Sequence, residues 1–131
     1  MKDIIVDDFQ NSVSQSLIRH KSIIDIMTKI GESSSRINRA LAKSVTNCGC
    51  IEINAHKQSL PEDASLDQIG NILSYQVDGK MCSNCREVLE EEIGTLLYYI
   101  AALSESLDIN LFDIILKQYG KIQTLGKFSM L

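Results

Sequence analysis

Chain breakers are scarce in this sequence: one proline, Pro61, and seven glycines in 131 residues. That scarcity excludes a sheet protein built on many tight turns and favours long helices. Long apolar runs are missing too. None approaches the ~20 residues needed to cross a bilayer, so no membrane span is expected. The opening MKDIIVDDFQ sets Asp3, Asp7 and Asp8 around a very short apolar run. A secretory signal wants a basic start and a longer apolar core, so a cytoplasmic location is expected. No Ser-His-Asp or Cys-His arrangement is legible, and no glycine-rich phosphate loop. Repeats and low-complexity tracts are likewise lacking. Nor is there a basic excess: the net charge is −4 and the pI is near 5.1, which argues against general nucleic-acid binding.

What is present is helical periodicity. With 44% hydrophobic and 23% charged residues, the chain has the make-up of one soluble domain able to bury a core. Val6, Phe9, Val13 and Leu17 share one helical face. SIID, Ser22 to Asp25, resembles a capping box in which Ser22 accepts from the backbone three residues on. A second helix then presents Ile23, Met27, Ile30, Ile37, Leu41 and Val45, with small Ser34 filling the gap. A single bent helix from Asp8 to Thr46 is the alternative. Gly49 suits a left-handed cap at its end. From Cys48 to Cys85 the pattern is irregular, with a short helix after Pro61 or Ser65 and VDGK as a turn. Periodicity returns at Glu87, where Leu89, Ile93, Leu96, Ile100, Leu103 and Leu107 form one stripe. NLFD, Asn110 to Asp113, caps a last helix whose inner face is Leu111, Ile114, Ile115 and Ile122, ending at Gly126. The expected fold is all-α, an antiparallel helical bundle with a loop-rich insert. The expected divisions are a helical region over 4–46, a cysteine-containing insert over 47–86 and a helical hairpin over 87–125.

All four cysteines fall in that insert, as NCGC and MCSNC. Two close pairs separated by a longer segment is how tetrahedral zinc sites are usually written. Cys48 and Cys50 follow one long helix, and Cys82 and Cys85 precede the next. Antiparallel packing would bring the four thiols together as a closed, structural zinc site. Cys85, at a helix amino terminus beside Arg86, is expected to favour the thiolate. A Cys82–Cys85 redox pair, an iron–sulfur centre or idle thiols are the other readings of the same spacing. His56 could replace a cysteine as ligand, and His20 is expected on a helix surface.

The stretch EEEIGTLLYYIAALSESLDINLFDIILKQ, Glu90 to Gln118, resembles the second half of the MazG-like, all-α nucleoside triphosphate pyrophosphohydrolases. The likeness extends loosely back to Lys29 and forward to Ile122. It implies a four-helix core, a homodimer, and a magnesium site built by Glu-Glu-x-x-Glu on one helix and Glu-x-x-Asp on the next. ESSSRINRAL, Glu32 to Leu41, lies where the first motif belongs. There Glu32 keeps the first glutamate, Ser33 takes the second place and Arg36 the third. Glu92 keeps the glutamate of the second motif, and Thr95 replaces its aspartate. Two of four carboxylates survive, too few for the ions that steady an attacking water and a leaving pyrophosphate.

The resemblance therefore implies a non-catalytic relative that binds a nucleotide or a protein partner, with Glu32 and Glu92 as site remnants. A divergent pyrophosphohydrolase would need magnesium there, helped by Glu87, Glu90 or Glu91 on one helix face. A third reading is a redox- or zinc-responsive regulatory module. The run of glutamates is also what a helix dipole favours at an amino terminus. Tyr98 and Tyr99 could line a base pocket, though core or interface is the commoner place for such residues.

Overall fold

The structure, a computed structural model, describes residues 2–19 and 21–126. It is mostly helical. Helix α1 spans Lys2–Ser16 and α2 spans Ile23–Lys43, followed by a π-helical turn, Ser44–Cys48. The insert holds strand β1, Ile51–Ile53, a short helix α3, Leu66–Ile72, and strand β2, Val77–Gly79. Helices α4, Ser83–Ser106, and α5, Leu111–Leu125, complete the fold.

Local chemistry sets most boundaries. Asn110 accepts the Asp113 amide as the N-cap of α5, and Ser65 and Gln68 form a reciprocal capping box on α3. Ser22 caps α2 but accepts from Ile24, two residues on and not three. Gly49 ends the π-helical turn at φ 75°, and Gly126 follows α5 at φ 55°. The chain breaks between α1 and α2, so the bent single helix does not form. The VDGK segment is not a turn: Val77–Gly79 pairs antiparallel with Ile51–Ile53, Ile51 opposite Gly79. Helix α4 begins at Ser83, inside the span expected to be insert. His20 lies outside the described residues.

Helices α1 and α2 run the same way along α4, both antiparallel to it. Gln10 reaches Glu105, Ser16 reaches Tyr98, Arg36 reaches Glu92 and Cys48 reaches Cys82, so one number rises as the other falls. The core gathers where α1 gives way to α2: Val13, Ile26, Ala101, Ala102 and Leu111. On α2 and the turn that follows it, the expected stripe holds in part: Ile30 packs against the core and Ile37 and Val45 are half-buried, but the fully buried positions lie one residue before Met27, Ser34 and Val45. Ile26, Ser33 and Ser44 are buried, while Met27 and Ser34 are exposed. On α4 the buried positions are Ala101, Ala102 and Ser104, not the larger leucines. Small side chains carry these contacts because they let helix backbones approach closely. The hydroxyls of Ser44 and Ser104 are satisfied inside their own helices, by the carbonyls of Ala40 and Ile100. Of the expected inner face of α5, only Leu111 is buried; Ile114, Ile115 and Ile122 are exposed.

Candidate metal centre and candidate acidic cleft

The four cysteines converge. Their sulfurs all lie within 4.8 Å of one another. The Cys48 and Cys82 sulfurs are 3.8 Å apart, which matches the roughly 3.8 Å edge of a tetrahedron of sulfurs about zinc at ~2.3 Å. Each arm of the cluster has a local cause. The π-helical turn widens the end of α2, and the αL cap at Gly49 turns the chain back, its amide donating to the Ser44 carbonyl at 2.9 Å. Cys50 thereby lies under that turn, its sulfur 3.9 Å from the same carbonyl. Strand β1 then leaves, and β2 returns the chain to Cys82.

Gly79 makes that return possible. It sits at φ 88°, and a Cβ built there would stand 2.6 Å from the Cys50 carbonyl oxygen. Past the strands, amide side chains extend the ladder. Gln76 accepts the His56 amide at 3.1 Å and donates to its carbonyl at 2.8 Å. Gln58 does the same for Ser74, at 2.9 and 3.2 Å. His56 takes part here and not in the sulfur cluster; its Nδ1 lies 3.0 Å from the Asn54 carbonyl.

Cys82, not Cys85, is the thiol favoured as thiolate. It is the N-cap of α4, and its sulfur accepts the Cys85 amide at 3.4 Å. That backbone bond, followed by the Cys85 side chain, lowers its pKa to about 7. Ser44 pulls Cys85 down, but Cys82, desolvation, Cys50 and Cys48 outweigh it and raise the thiol to about 12. Cys85 also pulls Cys48 down, yet Cys82 and Cys50 leave it raised. The helix start thus stabilises one charge, and the neighbours resist adding more beside it. A dication is what would let all four ionise together.

The candidate acidic residues Glu32 and Glu92 are paired with cations. Arg36 Nε lies 3.4 Å from Glu92 Oε2, and its NH1 lies 3.3 Å from Glu32 Oε1. Lys29 is 3.1 Å from the other Glu32 oxygen. Lys29, by hydrogen bond and charge, and then Arg36 hold the Glu32 carboxyl below the usual range. Thr95 turns back on its own helix, donating to the Glu91 carbonyl at 3.1 Å. Ser33 is buried in the helix contact. Glu87, Glu90 and Glu91 form no gathered ligand group among the described residues. Tyr98 packs against the core, with its hydroxyl 2.8 Å from Ser16 Oγ. Tyr99 meets its ring edge to face, centroids 5.1 Å apart.

Within this ion-pair cluster opens a cleft of about 500 Å³, lined by Glu32, Arg36, Arg39, Ala40 and Lys43 of α2 and by Val88 and Glu92 of α4. No acidic side chain among the described residues is within ion-pair distance of Arg39 or Lys43. The sequence shows these residues as part of a basic excess in the first half of the chain, expected to pair across the bundle or face solvent; nothing local says that 39 and 43 share a cleft with 92. Sequence reading passed over Ser44 and Gln10, whose partners are distant in the chain. No described helix is long and apolar enough to cross a membrane. Comparison of the chain with family models, characterised proteins and solved structures gives no match.

Proposed function

We propose that this chain is a non-catalytic relative of the MazG-like pyrophosphohydrolases, a binding module whose α2–α4 cleft takes the phosphates of a nucleotide without a metal ion. The carrying observation is Arg36 lodged between Glu32 and Glu92. A guanidinium there repels a divalent cation and already satisfies the two carboxylates one would need. Arg39 and Lys43, which have no carboxylate within ion-pair distance among the described residues, suit an anion directly.

The sulfur cluster is a structural zinc site in this reading, formed by Cys48, Cys50, Cys82 and Cys85. The donor set and spacing fit. With four thiolates the ion has no open position for substrate, so its contribution is to tie the insert to the ends of α2 and α4. Zinc at this place braces one end of the cleft.

Two measurements on the purified protein test the proposal. Nucleoside triphosphates should bind the zinc-loaded protein by calorimetry equally in magnesium-free buffer and with magnesium added, and Arg39→Glu with Lys43→Glu should weaken binding at least tenfold. A panel of nucleotides with magnesium or manganese should give no pyrophosphate. Sustained metal-dependent pyrophosphate release, abolished by Glu92→Ala, would establish a divergent hydrolase instead.

A further inference from the structure

A second cavity, of about 420 Å³, adjoins the basic cleft. Ala40, Lys43 and Val88 line both, so the two form one trough between α2 and α4. Its walls are helix stripes. On α4, Asn84, Val88 and Glu92 recur at every fourth residue, and at 1.5 Å per residue they cover about 12 Å. On α2, Arg36, Ala40 and Lys43 share one face. Asn47, in the π-helical turn, carries that wall further toward the sulfur cluster.

The trough changes character along its length. Arg36, Arg39 and Lys43 put positive charge at the Glu92 end and in the middle. Beyond Lys43 the lining holds no further cation. There Asn47 and Asn84 stand beside Ala40 and the exposed Val88, with Cys48 and Cys85 next to them. Neither asparagine side chain makes a hydrogen bond among the described residues, and both are exposed.

On the footing that the basic cleft takes phosphates, we infer that this uncharged end seats the nucleoside of the same nucleotide, with Asn47 and Asn84 at the edge of the base. Charge sets the direction. Phosphates belong beside Arg39 and Lys43, and four thiolates around one dication keep a net negative charge that repels them from the other end. A carboxamide offers a donor and an acceptor side by side, the pattern that base edges display. Ala40 and Val88 supply an apolar wall for the flat of the ring, and covering Val88 removes apolar surface from water. The space is adequate, since small-molecule sites occupy roughly 300–1,000 Å³.

Inorganic triphosphate and ATP separate the two ends of the trough. In magnesium-free calorimetry on the zinc-loaded protein, ATP should bind about tenfold more tightly than triphosphate. Asn47→Ala with Asn84→Ala should erase that difference by weakening ATP alone, with one zinc per chain retained. Arg39→Glu should weaken both ligands. Nuclear magnetic resonance of the unsubstituted protein needs no variant: the carboxamide signals of Asn47 and Asn84 should shift with ATP and stay in place with triphosphate. Equal affinity for the two ligands, with those signals unmoved, overturns the nucleoside seat and leaves the phosphate site standing. ATP-specific shifts confined to the surroundings of Glu32 and Glu92 also overturn it, since the ligand then lies the other way round. Binding of neither compound overturns the seat and the phosphate site together.

Discussion

Arg36 Nε stands 3.4 Å from Glu92 Oε2 and ties α2 to α4 at the cleft that Glu32 also lines. The pair is partly exposed, so it adds at most about 1 kcal/mol to stability. Its larger consequence is chemical, because it places a fixed positive charge where a divalent ion would otherwise sit. Replacing Arg36→Glu and Thr95→Asp together should create affinity for manganese that the unsubstituted protein lacks. Calorimetry with manganese reads this directly. Equal affinity before and after would show that Arg36 was not what excluded the ion.

The same cluster predicts a modest acid dependence. Lys29 and then Arg36 depress the Glu32 pKa below its ordinary 4.5. A depressed carboxyl contributes stability that is fully present above its ordinary pKa and lost as pH falls through the folded value. Glu32→Gln should therefore change little in acid and cost most from about pH 5 upward, where the carboxylate is ionised. Because the group is solvent-exposed, added salt should shrink the difference. Urea titrations at acid and neutral pH, each at two salt concentrations, measure it.

Thiol chemistry should discriminate among the four cysteines once metal is stripped. Cys82, lowered to about 7 by the Cys85 amide, should alkylate first at neutral pH. Cys85, raised to about 12, should react last. Added zinc should protect all four, with one ion bound per chain. Peptide mapping after timed iodoacetamide treatment, together with elemental analysis, gives the order and the stoichiometry. Four equally reactive thiols that zinc does not protect would sink the metal centre.

Gly79 and Gly49 offer a matched pair of tests. Both have positive φ, at 88° and 75°, but only Gly79 faces an obstacle, the Cys50 carbonyl oxygen. Gly49→Ala should cost about 1 kcal/mol, the conformational penalty alone. Gly79→Ala should cost about 2–3 kcal/mol and weaken zinc binding, because the strand must move away from Cys50. Denaturation of the zinc-loaded proteins with chelator competition reads both effects.

What the sequence disclosed was local. Ser65, Asn110, Gly49 and Gly126 announce helix ends because a cap is decided within four residues. The sulfur site was legible for a related reason: two short spacings sit at the ends of two helices that had to be neighbours. Facing surfaces were harder. The expected α2 stripe runs through Met27, as though large apolar residues all point inward, and it holds only at Ile30, Ile37 and Val45, which are half-buried. The fully buried positions are Ile26, which fills the core, and the small Ser33 and Ser44, which permit close helix approach. Strands of three residues carry too little alternation to separate VDGK from a turn. The resemblance sets Arg36 where a carboxylate is expected, but its bond to Glu92 spans more than fifty positions and only the fold supplies it.

Gln10 is the clearest example of a residue whose role is entirely tertiary. It is a glutamine on an otherwise ordinary helix, yet only 5% exposed. Its side-chain oxygen accepts the Leu111 amide at 2.7 Å, and its nitrogen donates to the Ile109 carbonyl at 2.7 Å and to Glu105 at 3.1 Å. One side chain thereby satisfies the turn that joins α4 to α5 and fixes where α5 departs. Gln10→Leu keeps the volume but leaves those backbone groups without a partner, which costs about 1–3 kcal/mol. Gln10→Glu keeps the acceptor for Leu111 but places a carboxylate against Glu105 and a carbonyl. Its loss should be at least as large at neutral pH and should ease in acid, where protonation removes the repulsion. Urea denaturation at fixed protein concentration distinguishes the two variants; a glutamate variant as stable as the parent at neutral pH would mean that this contact does not hold α5 in place.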